Sequence, residues 1–183
     1  MRIPEERTTV VVIDVQEKLV PVMSEKERLI ERISRFVRGA GILGLPLVMT
    51  EQYPRGLGAT VAEVGDAFRE AGGTRIVEKK AFSCCDEPGF MRVIEGEGRR
   101  FVVLLGIESH VCMLQTTMDL LAAGYQPVVP VDTTSSRFPE DRQTAFERMR
   151  DEGAIITTSE SLLFELTRVT GTPRFKEISR LVR

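Results

Sequence analysis

A chain of 183 residues, 42% hydrophobic and 28% charged, is long enough to bury one substantial core and is read as one domain over 1–183. Its 25 basic and 27 acidic residues are interspersed and leave a net charge of -2, which gives no footprint for nucleic acid or an anionic membrane and points to a small-molecule partner. No apolar run approaches the roughly 20 residues that span a bilayer, "MRIPEERTT" lacks the apolar segment of a signal peptide, and three cysteines with Cys84 and Cys85 adjacent make no disulfide framework, so a cytoplasmic location with free thiols is expected.

Taken in chain order, "TTVVVIDV" is the first strand candidate. The segment "SEKERLIERISRFVRGAGILG" follows with Leu29, Ile33, Phe36 and Val37 at helical spacing, and Ser24 reads as its N-cap with Glu27 three residues later. "LPLVMT", "TRIVEK" and "RFVVLLG" are the next three strands. "HVCMLQTTMDLLAAG" then presents Leu114, Met118 and Leu121 on one helical face and stops at Gly124. "QPVVPVD" is a fifth strand, "PEDRQTAFERMRDEG" a helix from Pro139 to Gly153, and "AIITT" the sixth strand, before the helical segments "SESLLFELTR" and "PRFKEISRLV". All six strands read as buried on both faces. Strand followed by helix with short connections predicts an α/β three-layer sandwich of Rossmann-like topology, a six-stranded, mostly parallel sheet with helices on both faces. Its ligand belongs outside the carboxyl ends of the strands, where strand order reverses.

Three residues fall at such ends. Asp14 closes the first strand and reads either as a turn residue or as a carboxylate facing the crevice. Lys79 closes the third, with Lys80 beside it, where a lysine is commonly solvated. Cys112 lies in the first turn of the helix after the fourth strand, where unpaired N–H groups and the helix dipole favour a thiolate, although an inert buried cysteine is the commoner fate. Their conjunction is chemically coherent: a thiol needs a base, an Asp in a dry crevice can serve, and a Lys can hold both charges, a set suited to attack on a carbonyl carbon. His110 is the rival base, but residues two apart in a helical turn point about 200° from each other, so packing or substrate contact is its expected role. Gln16, Tyr53, Phe82 and Phe138 are the other residues near strand ends that could line a pocket, Phe82 and Phe138 being equally suited to core packing. The Ser and Thr residues of "DTTSSRFPED" are ordinary helix-start chemistry. A redox role for Cys84 and Cys85 ranks last, and no glycine-rich phosphate loop follows the first strand.

"VVVIDVQEKL", "VEKKAFS" and "GIESHVCMLQTTMDLLAAGY" resemble the three ordered motifs of the isochorismatase-like cysteine hydrolases, which include nicotinamidases and N-carbamoylsarcosine amidases. "TEQYPRGLGAT" is similar to the short isochorismatase-domain subgroup. The resemblance covers nearly the whole chain and selects Lys79 over Lys80. It implies a triad of Asp14, Lys79 and Cys112, a cis peptide between Ile107 and Glu108, oxyanion donors near Glu108 and Cys112, and a homo-oligomer. Nicotinamidases carry an Asp and two His after the second strand to bind a metal; this sequence has "TEQYPRGLG" there and a single His, so neither metal nor cofactor is expected. The implied activity is hydrolysis of a small amide, ureide or related carbonyl compound through a thioester. The alternative is a binding protein that keeps the fold without turnover.

Overall fold

Runs of β-branched residues become strands, and the amphipathic segments between them become helices. The computed structural model describes residues 2–183. In chain order they form β1 (Thr8–Ile13), α1 (Lys26–Ile42), β2 (Leu47–Gln52), α2 (Pro54–Leu57), α3 (Ala62–Glu70) and β3 (Arg75–Lys79). There follow α4 (Pro88–Glu97), β4 (Phe101–Ile107), a π-helical turn (Ser109–Met113) continuing into α5 (Leu114–Ala122), and β5 (Gln126–Pro130). The two-residue β6 (Thr134–Ser135), α6 (Pro139–Asp151), β7 (Ile155–Thr157), α7 (Ser159–Thr167) and α8 (Pro173–Leu181) complete the chain.

The strands lie in the order β3-β2-β1-β4-β5-β7 and pair in parallel throughout, with β6 added against the end of β4. The period of two along the central strands divides two cores. Val10 and Val12 of β1, with Val103, Leu105 and Ile107 of β4, pack under α1, α3, α7 and α8. Val11 and Ile13, with Val102 and Leu104, pack under α4, α5 and α6. Each such fully buried side chain contributes about 1.5–3 kcal/mol, which explains why β1 and β4 read as unbroken apolar runs.

Three expectations need correction. The two edge strands are not buried on both faces, each having a neighbour on one side only: Ile76 of β3 is 54% exposed, and every residue of β7 is half-buried. Ser24 is not the cap of α1. Its N–H donates to Ser136 O (3.1 Å) and its carbonyl accepts the Ser135 hydroxyl (2.7 Å), which leaves Glu25 at the helix start in the left-handed region, at φ 50°. The buried face of α5 is also rotated: Met113, Thr116, Thr117 and Leu120 are buried, while Leu114, Met118 and Leu121 sit at its flank. Two threonines hold part of the core side in place of apolar residues: the Thr117 hydroxyl donates to the Met113 carbonyl (2.7 Å) and the Thr116 hydroxyl accepts the Cys84 N–H (2.9 Å), so both are satisfied when buried.

β2 and β3 lie to one side of β1, and β4 lies to the other, so the strand order reverses between β1 and β4. Gly106 permits their close approach there. It has φ 126°, and a Cβ at this position would stand 2.0 Å from the Ile13 carbonyl oxygen. Gly106→Ala is therefore expected to lower unfolding stability by more than about 2 kcal/mol, read as a fall in the urea midpoint.

Candidate active site

Asp14 leaves β1 at φ 54°, a left-handed conformation that Asp tolerates better than most residues. The turn sends its side chain into the crevice, fully buried. Oδ1 accepts the Thr50 hydroxyl at 2.7 Å, and Oδ2 lies 2.6 Å from Lys79 Nζ. Lys79 occupies the buried last position of a strand whose other residues are exposed or half-exposed; Lys80 points to solvent. The Lys79 ammonium donates to Gln52 Oε1 (3.2 Å), Ala81 O (3.0 Å) and Phe82 O (3.1 Å). The ammonium is thus shared among four acceptors, and the Asp14 carboxylate is the closest of them.

Cys112 sits in the π turn, 5% exposed, and its thiol donates to Gln52 Oε1 at 3.1 Å. The turn starts from a cis peptide between Ile107 and Glu108, and the Glu108 carbonyl accepts from Val111 N (3.1 Å) and Met113 N (3.2 Å). The segment after β5 clasps it from outside. Thr134 and Ser135 pair with Gly106 and Ile107, the Ser109 and Thr134 hydroxyls meet at 2.9 Å, and the Glu108 carboxylate accepts Arg137 N (3.2 Å) and Nε (3.1 Å). His110 joins this clasp, with Nδ1 2.9 Å from Ser136 Oγ and Nε2 3.7 Å from Asp141, rather than facing Cys112.

Charge is distributed unevenly among these groups. Burial presses the Lys79 ammonium downward, but Asp14 foremost, with the neighbouring Cys84 and Cys112, holds it above the ordinary lysine value. Burial raises the Cys112 thiol well above the usual range, the Asp14 charge raises it further, and Lys79 offsets only part of this. Burial and the carboxylate thus favour the protonated thiol, against the pull of the helix start toward a thiolate. Burial likewise pushes Cys84 up to about 11 and Cys85 up to about 12.

The structure thus brings Asp14, Lys79 and Cys112 together with two residues that the sequence reading missed, Thr50 and Gln52, both near the carboxyl end of β2. Their position beside β1 and β3 was the one available signal. Gln16 does not line a pocket: it is fully buried, its amide donating to Gln52 O (3.0 Å) and Gly58 O (2.7 Å) and accepting Gln52 N–H (2.8 Å). Tyr53, Phe82 and Phe138 are 54%, 52% and 54% exposed, which removes core packing for the two phenylalanines. Each lies within three residues of a group at the site: Gln52, Lys79 and Arg137. Among the described residues, no three His, Cys, Asp or Glu side chains converge where a metal could be held, and no helix is long and apolar enough to cross a membrane.

Comparison with known proteins agrees with this fold. The model of the Isochorismatase domain matches residues 8–161. Isochorismatase domain-containing protein 2A of Mus musculus is 39% identical over 183 residues, covering 100% of this chain and 85% of that protein. The structure named MAR1 ribonuclease from Caenorhabditis elegans superimposes with a TM-score of 0.93 at 39% identity, covering 100% of this chain and 92% of that one. The YcaC gene product of Escherichia coli, described as an octameric hydrolase of unknown specificity, shares the fold at a TM-score of 0.91 and 19% identity, over 99% of this chain and 90% of its own. With a domain match over most of its length and a relative 39% identical from end to end, the chain belongs to the isochorismatase domain family.

Proposed function

We propose that the protein is a cysteine-dependent hydrolase of a small amide, ureide or related carbonyl compound, with Asp14, Lys79 and Cys112 as its catalytic residues. The observation that carries this reading is the convergence of three buried side chains in one crevice, the Lys79 ammonium 2.6 Å from the Asp14 carboxylate and the Cys112 thiol beside both charges. Asp14 takes the thiol proton as sulfur attacks the carbonyl carbon, and backbone N–H groups of the turn from Glu108 to Cys112 stabilise the oxyanion. The C–N bond then breaks, Asp14 returns the proton to the leaving nitrogen, and a thioester remains. Water adds to that thioester with Asp14 again as base, releasing the acid and the thiol. Lys79 orients Asp14 and balances its charge whenever the carboxylate is free of a proton.

Tyr53, Phe82 and Phe138 form the aromatic surroundings through which the substrate approaches, and their exposure suits cover by a second copy of the chain in a homo-oligomer. Sedimentation velocity measures that assembly. A cytoplasmic location fits the free thiols. The ribonuclease name of the Caenorhabditis elegans neighbour finds no counterpart in the charge of this chain, which is -2 and interspersed.

Incubation with a panel of primary amides and ureides is expected to release ammonia and to leave an acyl adduct on Cys112 in the intact mass. Cys112→Ala should lose turnover by about a thousandfold or more while staying folded; turnover retained in that variant sinks the covalent route, and no turnover with any carbonyl compound favours a binding protein. The pH dependence of Cys112 alkylation by iodoacetamide tests the charges without a substrate. Asp14→Asn removes a negative charge beside sulfur and should move the alkylation midpoint down, whereas Lys79→Met removes a positive one and should move it up. Lys79→Met should also cost about 3–5 kcal/mol of stability, because Asp14 is left buried without its partner.

A further inference from the structure

Gln52 stands outside the triad, yet its amide oxygen touches both the cation and the nucleophile: Oε1 lies 3.2 Å from Lys79 Nζ and 3.1 Å from Cys112 Sγ. The orientation of this amide is determined by its neighbours. Reversal would set its NH2 group against an ammonium, whereas as placed Nε2 faces the Lys80 carbonyl at 3.4 Å. The backbone of Gln52 is equally constrained, since the buried Gln16 amide takes its N–H and donates to its carbonyl. Sulfur is thus flanked by two acceptors that compete for one proton, the neutral Gln52 oxygen and the Asp14 carboxylate.

We propose that Gln52 is a positioning residue of the nucleophile, holding the Cys112 proton in the resting site through an amide oriented by Lys79 and anchored by Gln16. The inference deepens the hydrolase reading and rests on it for its consequence: the thiol hydrogen turns from Gln52 Oε1 toward Asp14 by rotation about the Cβ–Sγ bond, with no heavy atom displaced. In that second orientation the proton faces the base, and Gln52 Oε1 faces a sulfur lone pair, an arrangement that disfavours a lingering thiolate and favours bond formation to carbon. The titratable groups around the sulfur are Asp14 from the end of β1, Lys79 from the end of β3 and Cys84 from the turn after β3. Glu108 and His110, on the nucleophile's own turn, are engaged by Arg137 and by Ser136 and Asp141.

Alkylation of Cys112 against pH, followed by peptide mass spectrometry with Cys85 as internal control, reads this directly in two variants of similar size. Gln52→Met removes the acceptor and is expected to lower the midpoint by about one pH unit, the equivalent of one neutral hydrogen bond to the protonated form. Gln52→Glu keeps the shape, adds a negative charge beside sulfur, and is expected to raise it. A filling role alone would leave both profiles at the wild-type midpoint or move them the same way, and either result overturns the proposal. Because alkylation needs no substrate, opposite shifts without any amide turnover would sustain the role of Gln52 while removing the hydrolase reading; unchanged profiles with turnover intact would do the reverse.

Discussion

The end of the sheet is organised by one buried ion pair. Asp14 closes β1 and Lys79 closes β3, and β2 runs between them, so an ammonium and a carboxylate meet across the width of a strand with neither side chain exposed. Such a pair costs several kcal/mol in lost hydration per ion and is tolerated only if its remaining hydrogen-bonding capacity is met. That requirement accounts for its surroundings. Thr50 supplies a hydroxyl to one carboxylate oxygen, and Gln52 with the carbonyls of Ala81 and Phe82 takes the ammonium protons. The left-handed turn at Asp14 and the missing side chain at Gly106 bring β1 and β4 near enough for Cys112 to join the same cluster.

Burial also sets the chemical character of the nucleophile. A thiol held neutral by its apolar setting and by an adjacent carboxylate is slow toward solvent-borne electrophiles, and it gains reactivity only when its proton has somewhere to go at the moment of attack. In the proposed reaction Asp14 offers that destination while Lys79 compensates its charge, so the resting and reacting states differ by a proton position and not by a rearranged backbone, which suits a site built from the ends of four rigid strands.

Much of this was readable from the residues. The apolar runs gave the strands, and Asp14 and Lys79 at the ends of two of them, with Cys112 in the turn after a third, marked the crevice; the sharpest signal was Asp14, because a carboxylate directly after four buried apolar residues has few positions in which to lie. Gln52 was not readable: a glutamine in a polar loop carries no signature, and its importance comes from a contact with residues 27 and 60 positions away in the chain. The phase of α5 failed for a different reason, since a search for apolar periodicity passes over Thr116 and Thr117, which are buried because their hydroxyls meet the Cys84 N–H and the Met113 carbonyl. Ser24 had the composition of a cap, but its backbone pairs with Ser135 and Ser136, a long-range preference that outweighs the local one.

The short β6 has a bearing on the birth of the protein. The turn that carries Cys112 is clasped by Thr134, Ser135, Ser136 and Arg137, all of which follow it in the chain by more than twenty residues. Asp14, Lys79 and Cys112 therefore leave the ribosome before the segment that fixes the shape of the nucleophile's turn. During synthesis the chain therefore passes through a stage in which Cys112 and all the neighbours of its thiol have been made but the segment that clasps its turn has not, and the turn is completed only when that later segment joins the end of β4.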